Sequence, residues 1–229
     1  MKLLVSNYNG TIKPYYNNPT FIDNYTFYKN IVYIKKFMKN NKFMVSTSDN
    51  FFNIKNELEK NNILYDYLST LNGRVIYDNE GKVIYGSYLN KEVLSDLKDL
   101  IIKLKMYNEY GITDNLENII YIDSIIYKSN NIIDFIKQLQ KKYPNVKFEY
   151  NMLINKLCVR NKSDKTLAVK ELLNLTHLTK KDVVTVGSYI NDIKMINDYN
   201  GYRVSNSHYE LSDISNVTPS LYKLIKKIK

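Results

Sequence analysis

The sequence predicts an α/β protein, built on a doubly wound, Rossmann-like parallel sheet with a smaller α+β domain inserted into it. Two observations support this fold class. Short apolar segments, each followed by a polar turn, alternate with stretches of helical periodicity, which is typical of parallel strands covered by helices on both faces. The middle of the chain instead has the pattern of a hairpin, helices and short strands, which indicates a separate α+β module.

Three apolar segments are the candidate central strands, at residues 2–6, 42–45 and 182–186. The polar turns that follow them are Asn7-Tyr8-Asn9-Gly10-Thr11, Ser46-Thr47-Ser48-Asp49 and Gly187-Ser188-Tyr189-Ile190-Asn191-Asp192. Helical patterns are predicted at about residues 25–40, 50–61, 165–175 and 191–199. Ligands of such sheets bind at the carboxyl ends of the strands, so we expect the three turns to converge on one site.

The inserted domain is predicted at about residues 78–161, which leaves 1–77 and 162–229 as the core domain. Its first feature is a hairpin with a turn at Asn79-Glu80-Gly81. Helices are expected at about 91–106 and 131–143, with strands near 118–123, 146–150 and 156–160.

The net charge of +10 raises the possibility of a polyanionic partner. Of the 33 basic residues only three are arginine, which leaves 30 lysines, while asparagine occurs 31 times and alanine once. Lysine, asparagine, isoleucine and tyrosine have A/T-rich codons, so an A/T-rich genome, such as that of a low-G+C bacterium, its phage or a virus, accounts for this composition. Arginine is the residue that proteins prefer for binding phosphate through two parallel hydrogen bonds. The scarcity of arginine therefore disfavours nucleic acid as the partner.

Cysteine and histidine usage excludes several site classes. Cys158 is the only cysteine, so no internal disulfide or thiolate zinc site can form, and His177 and His208 are too few for a histidine-rich metal site. No apolar run approaches the ~18 residues of a membrane span, and Met1-Lys2-Leu3-Leu4-Val5 is too short for a signal peptide. We therefore expect a cytoplasmic protein that does not contact a membrane.

The polar turns resemble the motifs of the haloacid dehalogenase (HAD) superfamily, in its Cof-like phosphatase branch with an inserted cap. The resemblance spans nearly the whole chain. Its first motif is a strand followed by Asp-x-Asp-Gly-Thr, and its second a strand ending in Ser or Thr. Its third is a lysine that opens a helix, and its fourth is Gly-Asp-x-x-Asn-Asp. The matching stretches are Asn7-Tyr8-Asn9-Gly10-Thr11, Ser46-Thr47, Ser163-Asp164-Lys165 and Gly187-Ser188-Tyr189-Ile190-Asn191-Asp192. The resemblance implies a HAD-like core.

The same resemblance implies that the catalytic groups are degenerate. In the family the first aspartate attacks phosphorus, the second is a general acid/base, and both help to hold Mg²⁺ with the first aspartate of the fourth motif. Those positions are Asn7, Asn9 and Ser188 here. An amide is neither a nucleophile nor a proton shuttle near neutral pH, and Mg²⁺ usually needs carboxylates. We expect no competent catalytic residue and no resident metal, with Mg²⁺ relevant only if residual activity exists.

The phosphate-holding part of the family site is retained. The resemblance assigns phosphate contacts to Gly10, Thr47, Lys165 and Asn191, with Thr11, Ser46 and Asp192 in support. Gly10 permits a tight turn with exposed N–H groups. Thr47 supplies a hydroxyl donor, and Lys165 supplies a compact positive charge. Asp49 is a candidate displaced metal ligand, and Asp192 has an alternative role as a helix cap.

Three functions remain open at this point. The first is a pseudoenzyme that binds a phosphorylated small molecule or a protein partner. The second is a weak Mg²⁺-dependent phosphomonoesterase acting on small phosphorylated metabolites, and the third is a lysine-driven polyanion binder. The sequence does not identify the ligand, the protein partner or the oligomeric state.

Overall fold

The computed structural model describes residues 1–14, 20–103, 107–109, 117–121, 131–151 and 156–228. The chain divides into two compact units. The core unit comprises Met1–Tyr85 and Ser163–Lys229, and the inserted unit comprises Gly86–Lys162.

The core unit contains an eight-stranded sheet with helices between its strands. Its strands are β1 (Leu3–Asn7), β2 (Lys42–Ser46), β3 (Tyr67–Thr70), β4 (Val75–Asp78), β5 (Val83–Gly86), β10 (Val183–Gly187), β11 (Tyr202–Val204) and β12 (Val217–Thr218). Its helices are α1 (Phe21–Phe37), α2 (Phe51–Lys60), α5 (Lys165–Leu175), α6 (Ile193–Asp198) and α7 (Leu221–Ile228). Helix α1 begins with a capping box, since Thr20 and Asp23 each accept from the other's backbone N–H.

The strand order of this sheet is β12-β11-β10-β1-β2-β3-β4-β5. Strand β1 lies between β10 and β2 and is parallel to both, with Ser6 level with Val186 on one side and Val45 on the other. The predicted convergence of the three polar turns is therefore confirmed. From β12 to β4, all neighbouring strands pair in parallel except β3 and β4, which are antiparallel.

Alternating side chains of the central strands fill two cores, one on each face of the sheet. Leu4 packs with α1, α2 and α7 on one face, whereas Leu3 and Val5 pack with α5 and α6 on the other. Because successive side chains of a strand point to opposite faces, a continuous apolar segment serves both layers. This double burial makes β1 a rigid base for the turn that follows it.

The inserted unit has its own sheet and its own core. Its elements are α3 (Lys91–Lys103), β6 (Tyr107–Glu109), β7 (Glu117–Tyr121), α4 (Asn131–Lys142), β8 (Val146–Asn151) and β9 (Lys156–Asn161). The four strands are antiparallel in the order β6-β7-β9-β8. Leu97, Leu139, Leu157 and Val159 are among the buried residues of its core. The predicted α+β character is confirmed, although residues 104–106 and 122–123 of the predicted elements lie outside the described residues.

The first boundary of the inserted unit lies later than the prediction of residue 78. The predicted boundary divides the β4–β5 hairpin after residue 77, but both strands belong to the core sheet, where β4 lies between β3 and β5. Ile84 and Tyr85 of β5 pack against the buried residues of the core unit. Hairpin periodicity reveals local pairing only, so it cannot show which sheet a hairpin joins.

Among the described residues, no helix combines the length and the apolar character that crossing a membrane would require.

Candidate functional site

A cleft of about 420 Å³ lies at the carboxyl ends of β1, β2 and β10, within the core unit. It is lined by Asn7, Asn9, Thr47, Ser48, Tyr189, Ile190 and Asn191. A volume of this size suits a small molecule. All three polar turns singled out in the sequence therefore contribute to one cleft.

Asn7 is the centre of a hydrogen-bonded cluster at the end of β1. Its Nδ2 donates to the Asn9 carbonyl oxygen at 2.6 Å and to Ser188 Oγ at 3.2 Å. Ser188 Oγ in turn donates to the same Asn9 carbonyl at 3.0 Å. The three positions that the resemblance assigns to catalysis and metal binding are therefore brought together, but they bind each other through N–H and O–H donors.

Lys165 and Asp192 form a buried ion pair behind this cluster. Lys165 Nζ lies 2.7 Å from Asp192 Oδ1 and donates to Asn7 Oδ1 at 2.8 Å, and the two charged side chains are 1% and 0% exposed. The second carboxylate oxygen of Asp192 accepts from the backbone N–H groups of Ser188 and Tyr189 at 2.9 and 3.0 Å. Asp192 is therefore both the cap of its turn and the counter-ion of Lys165, and the lysine charge is compensated.

Gly187 makes the close approach of Asp192 possible. A Cβ at this position would lie 2.4 Å from the Asp192 Cβ and 2.6 Å from its Oδ2. Any larger residue at the end of β10 would push the carboxylate away from Lys165. The glycine of the fourth motif is thus required by packing, independently of any catalytic role.

Thr47 lines the cleft, and its hydroxyl is engaged by the Asp49 carboxylate. The Thr47 hydroxyl donates to Asp49 Oδ2 at 3.1 Å and accepts from the Asp49 backbone N–H, also at 3.1 Å. Asn9 Nδ2 donates to the same carboxylate oxygen at 3.4 Å. Asp49 therefore takes up two donors that face the cleft, a role that the sequence prediction of a displaced metal ligand did not include.

Asn191 also lines the cleft and is held by a strained loop. Its Nδ2 donates to Asn72 Oδ1 at 2.8 Å. Leu71, Asn72 and Gly73 all have positive φ angles, of 52°, 54° and 89°. The backbone N–H groups of Leu71 and Asn72 donate to the carbonyls of Asp49 and Thr47, so the loop that carries Asn72 is fixed to the end of β2. A left-handed leucine is unfavourable, and these bonds hold it in place.

Gly10 and Thr11 stabilise the first turn but do not line the cleft. Gly10 has a φ of 78°, and its backbone N–H donates to the Lys13 carbonyl at 2.7 Å. The prediction that Gly10 has a free N–H is therefore wrong, because this N–H forms a hydrogen bond within the turn. The Asn9 backbone N–H, by contrast, has no acceptor among the described residues. The Thr11 carbonyl accepts from Asn30 Nδ2 at 3.3 Å.

Ser46 and Tyr8 are also buried away from the cleft. Ser46 is fully buried, and its hydroxyl has no partner within the described ranges. The Tyr8 hydroxyl donates to Glu57 Oε2 at 3.3 Å, and Lys13 Nζ lies 2.7 Å from the same oxygen. Burial and the neighbouring Glu57 carboxylate raise the pKa of Tyr8, so this phenol stays protonated and cannot serve the cleft as a base.

The residues present do not fit a Mg²⁺ ion. The described residues contain no cluster of three or more His, Cys, Asp or Glu side chains that could hold a metal. Asn7 directs its N–H donors, not its oxygen, toward the Asn9 carbonyl and Ser188. A hard cation needs oxygen ligands and usually carboxylates, so no step of a reaction can be assigned to Mg²⁺ in this cluster.

The sequence prediction missed two side chains that matter to the site, Asn72 and Asn30. Asn72 lies in the Leu71-Asn72-Gly73 stretch, where an Asn-Gly pair signals a left-handed turn but does not indicate which strand end it approaches. Asn30 is fully buried inside α1 and donates to the Ile12 carbonyl at 2.9 Å. A buried asparagine on the apolar side of a helix signals such a bond, but this chain has 31 asparagines.

Comparison with known proteins identifies the family. A family model described as haloacid dehalogenase-like hydrolase matches residues 20–158 and 104–220. The chain belongs to the haloacid dehalogenase-like hydrolases. The comparison with curated proteins gives no match.

Solved structures show the same HAD-like fold. A haloacid dehalogenase-like hydrolase from Bacillus subtilis aligns with a TM-score of 0.69 at 15% identity, covering 99% of this chain and 89% of the other. A protein from Thermotoga maritima has a TM-score of 0.69 at 14% identity, with 100% and 97% covered. A HAD/Cof-like hydrolase from Plasmodium vivax has a TM-score of 0.61 at 19% identity, with 100% and 95% covered. These identities support the fold alone.

Proposed function

We propose that this HAD-like protein does not hydrolyse phosphomonoesters and instead binds a phosphorylated small molecule in its cleft without Mg²⁺. The observation that carries the proposal is the pair of hydrogen bonds from Asn7 Nδ2 to the Asn9 carbonyl and Ser188 Oγ. An amide with both N–H groups committed offers neither a nucleophilic oxygen nor a metal ligand in that direction.

The loss of hydrolysis follows from the combined loss of three functions. Nucleophile, acid/base and metal charge act as one unit in this type of chemistry, and such groups are not additive. The Asp49 carboxylate contacts two residues that line the cleft, but it accepts hydrogen bonds from both of them, Thr47 and Asn9. It is one carboxylate where the family chemistry uses three.

We expect purified protein to release no phosphate above background from p-nitrophenyl phosphate or sugar phosphates, with Mg²⁺ or other divalent ions. The matched control is the Asn7→Ala variant, which removes the clustered amide and should have the same background rate. Phosphate release by the natural protein that Asn7→Ala abolishes would overturn the proposal. Fresh protein is needed, because deamidation in the Asn9-Gly10 sequence would restore a carboxylate.

Anion binding is supported by donors that face the cleft. The Asn9 backbone N–H has no acceptor within the described residues, and the Thr47 hydroxyl and Asn9 Nδ2 both donate to one carboxylate oxygen of Asp49. These are the donors that a phosphate oxygen would need. The Asp49 carboxylate occupies them with the same sign of charge as the ligand, so we expect phosphate to bind weakly, at millimolar concentrations.

The Asp49→Asn variant should bind inorganic phosphate more tightly than the natural protein does. Removing one negative charge a few ångströms from the anion should lower the dissociation constant roughly tenfold. The measurement is an NMR titration that follows the backbone signals of Gly10 and Thr47. Asp213→Asn, an exposed carboxylate of the same unit, is the matched control and should leave the titration unchanged. Equal affinity in all three proteins would contradict phosphate binding at this position.

A further inference from the structure

Helices α1 and α7 pack side by side over one core of the core unit and expose a surface rich in lysine and tyrosine. Their buried sides carry Ile34 and Phe37 of α1 and Leu221, Leu224 and Ile225 of α7. Their outer sides and the turn after α1 carry what we call the lysine–tyrosine face. It consists of Tyr25, Tyr28, Lys29, Tyr33, Lys35, Lys36, Lys39, Tyr222, Lys223, Lys226 and Lys227.

Lysine ammonium groups lie over tyrosine rings across this face. Lys226 Nζ lies 5.2 Å from the ring centre of Tyr33 and 5.8 Å from that of Tyr222, so it joins the two helices. The Tyr33 and Tyr222 rings are themselves 5.8 Å apart. Lys36 lies 5.2 Å from the Tyr33 ring and Lys29 5.1 Å from the Tyr25 ring. Cations and aromatic planes therefore alternate across both helices.

The face carries no compensating acids. Helix α7 contains no Asp or Glu, and the one acid of α1, Asp23, is engaged in the capping box with Thr20. In the described part of the chain, none of the seven lysines of the face forms an ion pair, whereas Lys13, Lys42 and Lys194 elsewhere in the core unit each pair with a carboxylate. Codon usage accounts for the number of lysines but not for this separation from acids.

The surroundings of Tyr33 agree with a positive potential at this face. The hydrogen bond to Lys226 lowers the pKa of Tyr33, and the charges of Lys226, Lys36 and Lys29 lower it further. No acid contributes to the shift. A phenol surrounded by cations reports the field that an approaching anion would encounter.

We propose that the lysine–tyrosine face binds single-stranded nucleic acid, with lysines contacting phosphates and exposed tyrosines stacking on bases. Lysine grooves interleaved with aromatic rings are how proteins hold single strands without sequence preference. Tyr25 and Tyr28 are 47% and 61% exposed, so their rings are accessible to bases. The surface is separate from the cleft residues, and this binding does not depend on the proposed function of the cleft.

An anionic membrane is the competing partner for the same charges. A helix that binds a membrane surface inserts its apolar side into the lipid. The apolar sides of α1 and α7 are buried in the core of the unit, and the exposed large aliphatic or phenylalanine side chains of α1 are Phe21 and Ile22 in its first turn. A membrane would therefore gain apolar contact at one end of α1 only, and electrostatic attraction along the rest of the face. Tyr25 and Tyr28 lie among the lysines of the face, where their rings can stack on successive bases while the lysines contact phosphates, so the single strand is favoured.

The test is fluorescence anisotropy with a labelled oligothymidylate of about 20 nucleotides, longer than the ~4–16 nucleotides of typical single-strand sites. We expect a dissociation constant of about 10⁻⁶–10⁻⁴ M near physiological salt, falling steeply at lower salt. The triple variant Lys36→Gln, Lys223→Gln, Lys226→Gln should reduce the slope of log affinity against log salt by about 2, because each phosphate contact contributes about 0.7.

The matched charge control is Lys60→Gln, Lys170→Gln, Lys181→Gln, which removes three exposed lysines elsewhere in the core unit and should leave the slope unchanged. Tyr25→Ala with Tyr28→Ala should weaken binding about fivefold or more at constant charge, and Tyr209→Ala, an exposed ring elsewhere, should not. Circular dichroism verifies the fold of each variant. An equal loss in both lysine triples, no binding at low salt, or binding to phosphatidylserine vesicles but not to oligothymidylate would overturn the proposal.

Discussion

Replacing Lys165 by methionine should lower the free energy of unfolding by about 3–5 kcal/mol, the usual cost of removing one partner of a buried ion pair. Lys165 Nζ contacts both Asp192 Oδ1 and Asn7 Oδ1, and its side chain is 1% exposed. Without it, Asp192 would keep a buried negative charge with only the backbone N–H groups of Ser188 and Tyr189 as partners. Urea unfolding followed by circular dichroism measures the change.

Lys194→Met is the matched control for this prediction. Lys194 also pairs with an aspartate, Asp164, at 2.6 Å, but the two side chains are 63% and 38% exposed. Exposed pairs contribute about 0–1 kcal/mol, so this variant should be nearly as stable as the natural protein. Equal destabilisation by Lys165→Met and Lys194→Met would show that burial does not set the strength of the Lys165 pair.

The double variant Lys165→Met with Asp192→Asn separates the cost of the unpaired Asp192 charge from the cost of the packing that Lys165 loses. Asp192→Asn removes the charge that Lys165→Met would leave unpaired, while its side-chain oxygen can still accept from the turn. The double variant should therefore be more stable than Lys165→Met alone, with a coupling energy well above the ~0.3–0.5 kcal/mol found for independent sites. Additive losses would indicate that Lys165 stabilises through contact area instead of charge.

The sheet and the position of the site were predictable because they depend on patterns that are local in sequence. Continuous apolar strands and alternating helices imply a parallel sheet, and a parallel sheet brings all carboxyl ends to one edge. Ser6, Val45 and Val186 accordingly lie side by side. Strand β5 was placed in the wrong unit because the periodicity of a hairpin is the same whichever sheet it joins.

The internal bonding of the site was not predictable from residue types. Lys165 and Asp192 are 27 residues apart, and no local pattern indicates that the lysine is neutralised by the aspartate instead of facing a ligand. Asp49 likewise follows Thr47 by two residues, yet only the turn geometry shows that its carboxylate accepts from the Thr47 hydroxyl. Motif matching assigns positions, whereas the charge that a ligand encounters depends on pairings between distant elements.

Restoring phosphatase chemistry should require three substitutions together: Asn7→Asp, Asn9→Asp and Ser188→Asp. In the natural protein, Asn7 Nδ2 holds the Asn9 carbonyl at 2.6 Å. Asn7→Asp alone would replace that donor by a carboxylate oxygen facing another oxygen, with no proton or metal charge to separate them. The single variant should therefore lose stability and remain at background turnover, although it regains the nucleophile.

The triple variant supplies the carboxylates that Mg²⁺ needs and turns the oxygen–oxygen repulsion into metal ligation. We expect Mg²⁺-dependent hydrolysis of p-nitrophenyl phosphate at least about 10³-fold above the single variant, since catalytic groups that act as a unit are not additive. Mg²⁺ should also raise its melting temperature, which is a readout of metal binding separate from turnover.

The matched control is the double variant Asn9→Asp with Ser188→Asp, which gains two carboxylates but no nucleophile. It should be stabilised by Mg²⁺ and still give no turnover, because the Asn7 amide cannot attack phosphorus. Turnover in this double variant, or in Asn7→Asp alone, would show that the attacking group lies elsewhere in the cleft or that the present site already supports a metal. A triple variant that folds and binds Mg²⁺ but stays inactive would contradict the expectation that these three positions suffice for hydrolysis.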